Sequence, residues 1–172
     1  MTRLLGLDPG LQRTGWGVLD VQGNALRFLA AGVVATTTAD DLASRLDALY
    51  RGLSAVIERH RPAAAAVEET VINRNAGSSL KLGQARGVAL LAAAHAGLPV
   101  TEYAAKTVKR AVVGTGGADK RQVAMMVRTL LPGSGLIGGD AADALAVALC
   151  HAHYQATRSR VAAALGAAGA LP

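Results

Sequence analysis

Three strand-like segments open the chain before any helical periodicity begins, and that order constrains the fold more than any other feature. Residues 4–8 form a short apolar run that closes on Asp8 and stops at Pro9-Gly10, a turn dipeptide. Residues 16–21 and 28–34 are two further strand-like runs, and Gly23-Asn24 between them suits a hairpin turn. Consecutive strands of this kind predict an antiparallel start to a sheet.

Helical patterning takes over after residue 40. Asp40-Asp41 supplies acidic residues at a helix start, and Leu42, Leu46, Leu49, Leu53, Val56 and Ile57 follow at spacings of mostly three and four. Pro62 ends that helix. Residues 63–67 read as a compact apolar strand carrying Glu68-Glu69 at its C-terminal end. The polar, glycine-containing stretch 72–78 reads as a mobile loop, 79–95 as a second helix and 99–103 as a fifth strand. Three more helices are expected over 105–113, 119–131 and 140–156. The order predicts an α/β domain, a mixed five-stranded sheet flanked by helices. Residues 1–156 form that single domain, and the Ala/Gly-rich remainder, 157–172, reads as a flexible tail.

Composition narrows the function classes. With 51% hydrophobic and 17% charged residues the chain is not a disordered one. Eighteen Lys and Arg against twelve Asp and Glu leave a net charge of +6, which suits a polyanionic partner such as nucleic acid. A single cysteine, Cys150, excludes a disulfide framework and multi-cysteine metal sites; it reads as core. No apolar run reaches the ~18 residues of a membrane span, and the N-terminal run is too short for a signal-peptide core. The expectation is a reduced, soluble, cytoplasmic protein. Aromatics are too few, at 3%, for a surface of base-stacking rings.

The acids are the most informative residues. Asp8 ends one strand, Glu68 or Glu69 ends another, and Asp140 and Asp143 open the last helix three residues apart. Residues at that spacing share a helix face and repel by about 0.2–0.5 kcal/mol unless a cation lies between them. Singly, Asp140 reads as an N-cap, Asp143 as a first-turn charge and Asp8 as a turn residue. Four such coincidences account for the pattern less well than one cluster of oxygen ligands for hard cations. Two ions so held activate water and stabilise the leaving oxygen of a phosphodiester. Side chains alternate along a strand, so periodicity leaves Glu68 and Glu69 undecided.

Lys106, Lys109 and Arg110 share one helix face, and Lys120-Arg121 begins the next helix. Beside a phosphodiesterase site these read as phosphate contacts rather than an ordinary solvated face. His60, His95, His151 and His153 read as surface or helix-end residues. Residues 114–120 lack the Gly-Lys-Ser/Thr ending of a phosphate-binding P-loop.

The segments LGLDPG, TGWGV, AVEE, SSLKLGQARGVAL, EYAAKTVKRAVVG, MVRTLLP and DAADALAVAL, in that order, resemble the RuvC-type Holliday-junction resolvases over nearly the whole chain. The resemblance implies an RNase H-like fold and a homodimer. It also implies a magnesium-dependent endonuclease, with two ions per site and manganese as a substitute. Such an enzyme nicks two like-polarity strands of four-way junction DNA and works beside a branch-migration complex of the RuvA and RuvB type. By motif position the acidic tetrad falls on Asp8, Glu68, Asp140 and Asp143, and DNA-contacting positions fall on Arg74, Lys109 and Lys120. The resemblance also turns the Gly83/Gly87 pair of the second helix towards a dimer contact. One departure is Val71, where many family members carry an aromatic that stacks on a junction base. Two other functions compete. A sugar-kinase or actin-like phosphotransferase shares the Asp8-Pro9-Gly10 and Thr14-Gly15 pattern but needs two related domains. A silent junction-binding module has no use for a complete set of acids.

Overall fold

The computed structural model describes residues 1–69, 76–135 and 137–168. Strands β1 (Thr2–Asp8), β2 (Arg13–Gln22) and β3 (Ala25–Ala35) are followed by α1 (Leu42–His60), β4 (Ala64–Glu68), α2 (Ala76–His95) and β5 (Val100–Tyr103). Helices α3 (Ala105–Val113), α4 (Lys120–Leu130) and α5 (Gly139–Ala168) complete the chain, with a short 3₁₀ turn, Pro132–Ser134, before α5. The sheet order is β3-β2-β1-β4-β5. β1, β2 and β3 pair antiparallel, and β4 and β5 run parallel to β1. The expected mixed five-stranded sheet flanked by helices is therefore the one found.

Alternation along the strands builds two cores. Leu5, Leu7, Val18, Ala65 and Val67 pack with Leu53 and Ile57 of α1 and with Ala89, Ala92 and Ala93 of α2. Leu19 and Ala66 face the opposite layer, where Val108, Val112, Val123, Val127, Leu145 and Leu149 meet. Cys150 lies in that second core, and no described helix is long and apolar enough to cross a membrane.

The seat of α5 is cut by glycines. A Cβ at Gly6 would fall 2.6 Å from the Ala148 backbone nitrogen, and one at Gly17 the same distance from the Leu145 side chain. At Gly15 it would meet the carbonyl carbon of Asp140 at 2.6 Å. Only bare backbone at these three positions lets α5 lie against β1 and β2, with its first turn over the end of β1 that carries Asp8.

Several boundaries differ from the sequence expectation. α2 begins at Ala76, so the end of the stretch read as a loop is helical; residues 70–75 lie outside the described residues. α5 continues twelve residues past Ala156, as far as Ala168, where a flexible tail was expected. Residues 157–165 are exposed, so packing does not make them helical. An existing helix extends without a new nucleation step, and alanine is the best helix former for such an extension. His151 is buried rather than superficial, bonded through Nδ1 to the Tyr103 hydroxyl at 2.9 Å and through Nε2 to Gln155.

Candidate active site

β1 and β4 end side by side, and the pleat decides which acids meet. Leu5 and Leu7 face α1 and α2, so Gly6 and Asp8 face α5. Ala65 and Val67 likewise face α1 and α2 while Ala66 faces the α5 layer, which places Glu68 on the side of Asp8. Glu69 lies beyond the strand and is exposed. The turn after Asp8 is pinned by buried Thr14, whose hydroxyl donates to the Gly10 carbonyl at 2.8 Å and accepts from the Gly10 N–H at 3.2 Å.

Asp143, one turn into α5, joins Asp8 and Glu68 in a cleft of about 220 Å³. Lys109 of α3 and Lys120 of α4 line the same cleft over an apolar floor that includes Val108 and Val123. Lys120 owes its place to a capping box: Asp119 accepts from the Gln122 N–H and the Gln122 side chain accepts from the Asp119 N–H. The first residue of α4 is thereby aimed at the site, and its ammonium donates to Asp143 Oδ2 at 3.3 Å.

The charges are unbalanced. Burial, then the nearby Glu68 and Asp143 carboxylates, push the Asp8 carboxyl up to about 7; Asp140 adds to this and Lys120 opposes it. Glu68 is raised for the same reasons, by burial first and then Asp143, against the pull of Lys120 and Lys109. Lys120 is held above the usual lysine range, chiefly by the charge of Asp143. Crowded carboxylates that resist ionisation form a site with negative charge to spare for a cation.

Asp140 stands apart from that cleft. It accepts from Arg13 Nε at 2.5 Å on the rim, while Asp143 is engaged by Lys120. Three of the four expected acids are thus brought together and the fourth is held at the edge. Among the described residues no three acidic, histidine or cysteine side chains converge closely enough to hold an ion as they stand. The donor set itself, all carboxylate oxygen, is the kind that hard divalent cations take. Arg74 and Val71 lie outside the described residues. Arg13 escaped the sequence reading because it neither clusters with other cations nor falls on a helix face. Thr14 was visible only as part of a Thr-Gly pair.

The family model for crossover junction endodeoxyribonuclease RuvC matches residues 4–151. The chain belongs to the RuvC family. A RuvC relative from Acidiphilium cryptum is 60% identical over 162 residues, covering 94% of this chain and 97% of its own. One from Gluconobacter oxydans is 55% identical over 163 residues, with 95% and 97% covered. Among solved structures, Thermus thermophilus RuvC in complex with a Holliday junction substrate superposes with a TM-score of 0.82 at 38% identity, over 91% of this chain and 96% of that one. The RNase H-like fold implied by the sequence resemblance is the RuvC fold, with the acidic cleft at the ends of its β1 and β4.

Proposed function

We propose that this RuvC-family chain is the endonuclease that resolves four-way DNA junctions by paired, symmetric nicks. The observation that carries the reading is the meeting of Asp8, Glu68 and Asp143 with Lys109 and Lys120 in one cleft. RuvC nucleases are metal-dependent. In this chain Asp8, Glu68, Asp140 and Asp143 would hold the metal, two magnesium ions replaceable by manganese. When bound, they supply activated water and charge neutralisation at the scissile phosphate.

The chain's own residues do the rest. A rigid strand pair and a packed helix hold the carboxylates in place, Lys109 and Lys120 draw the scissile phosphate into the cleft, and water attacks in line as the 3′ oxygen leaves. The products are nicks with 5′-phosphate and 3′-hydroxyl ends. Lys109 and Lys120, with Arg74, neutralise the DNA backbone beside the cut. Residues 1–156 act as one nuclease domain.

A second copy supplies the second cut. Among the described residues, nothing lies within 4 Å of where a side chain on Gly83 or Gly87 would begin, so these glycines do not serve close packing on their own sheet. With Leu80 and Leu91, both more than half exposed, they form an outward stripe on α2. A two-fold dimer through that stripe matches the symmetry of the junction. A branch-migration complex of the RuvA and RuvB type delivers the junction in the cytoplasm.

The test is cleavage of a four-way junction and of a linear duplex in magnesium. Ligatable, symmetric nicks are expected in the junction alone, with Asp8→Asn binding the junction but leaving it whole. Equal cutting of both substrates, or uncut junctions with the unsubstituted protein, would contradict the reading.

A further inference from the structure

We propose that Arg13 is a positioning residue that holds Asp140 out of the cleft until a divalent cation enters, and then takes a backbone phosphate of the DNA. The inference rests on the reading of the four acids as a metal site. Arg13 opens β2, paired with Ala35 of β3 and next to Thr14, whose hydroxyl is bonded to Gly10 in the turn after Asp8. Its side chain is 56% exposed and reaches across to Asp140, the first acid of α5, at 2.5 Å. Asp140 lines no part of the cleft shared by Asp8, Glu68 and Asp143.

An exposed ion pair of this kind is weak, because water solvates both partners nearly as well as they solvate each other. It opens readily when a doubly charged ion competes for the carboxylate. The main chain of Asp140 is seated on Gly15 and stays in place, so only side-chain torsions must change. Arg13 is then left as an unpaired guanidinium on the rim. Its planar fork suits two phosphate oxygens, which Lys in the same position would not grip as well. The same side chain thereby neutralises Asp140 in the metal-free protein and substrate phosphate later.

Isothermal titration of magnesium into the DNA-free full chain tests this without relying on turnover. Arg13→Ala and Arg13→Gln are each expected to bind the ion about 1.5- to 5-fold more tightly, the range an exposed ion pair allows. Arg13→Lys, which keeps a cation near Asp140, should lie close to the unsubstituted protein. In an Asp140→Asn background the gain from Arg13→Ala should vanish. In calcium, Arg13→Ala should weaken junction binding and reduce the slope of log affinity against log salt by about 0.9, one phosphate contact fewer. Unchanged or weaker magnesium binding in both neutral variants, while Asp140→Asn does weaken it, would overturn the inference. So would an equal gain in the Asp140→Asn background, which would mark a general effect of charge. If neither Asp8→Asn nor Asp140→Asn alters magnesium binding, the metal-site reading itself fails, and this inference with it.

Discussion

Asp8 ends β1 half-buried, with Glu68 and Asp143 facing it, and its carboxyl is raised to about 7 from an ordinary 3.8. The folded, metal-free protein therefore holds this proton more tightly than the unfolded chain does. Linkage then makes stability fall as pH rises from about 4 through 7, where the folded state must surrender it. Asp8→Asn removes the penalty. Without metal, that variant is expected to melt above the unsubstituted protein at pH 8, with the gap closing towards pH 4; differential scanning calorimetry across the range measures it. Glu68 and Glu69 give a second prediction. Glu68→Gln should lower junction cleavage by at least about 100-fold, since even supporting partners of a metal ligand cost about 10- to 100-fold. Glu69→Gln, on the exposed side of the strand end, should leave the rate within about twofold. The phase that separates these two glutamates was not legible in their own segment, which is apolar on both faces of the sheet. It becomes visible only once Ala66 is seen against α5 and Val67 against α1 and α2.

At the scale of elements, α5 is the piece that turns scattered acids into a site. Its docking depends on Gly6, Gly15 and Gly17; Gly6 and Gly17 read as strand residues and Gly15 lies just before a strand-like run, and none gave a sign of a helix lying across them. Gly15→Ala sets a methyl against the Asp140 carbonyl, an overpacking expected to cost about 1–3 kcal/mol. Because the strain falls on the turn that presents Asp140 and Asp143, cleavage should fall further than stability. Urea melts and single-turnover rates on the same variant separate the two. The strands and most helices were legible because alternation and three-four spacing follow directly from which faces are buried. The extension of α5 was not, since it has no buried face to leave a pattern. Arg13 illustrates the same limit at the site: its partner, Asp140, lies 127 residues away, and no local spacing encodes that meeting.

For the whole molecule, a surplus of +6 charges matches a polyanionic substrate, and the proposed two-fold assembly matches that substrate's symmetry. If α2 joins two copies, Leu91→Glu places a charge in the middle of that contact. The variant is expected to sediment as a monomer and to make single rather than paired nicks, with its magnesium affinity unchanged. An unaltered dimer would move the interface elsewhere. The central claim, that Asp8, Glu68, Asp140 and Asp143 together hold the catalytic cations, is tested most directly by the anomalous signal of manganese in crystals of this protein. Density is expected in the cleft bounded by Asp8, Glu68 and Asp143, with Asp140 turned off Arg13 and towards it. Manganese bound elsewhere, with the cleft empty at saturating concentration, would contradict it.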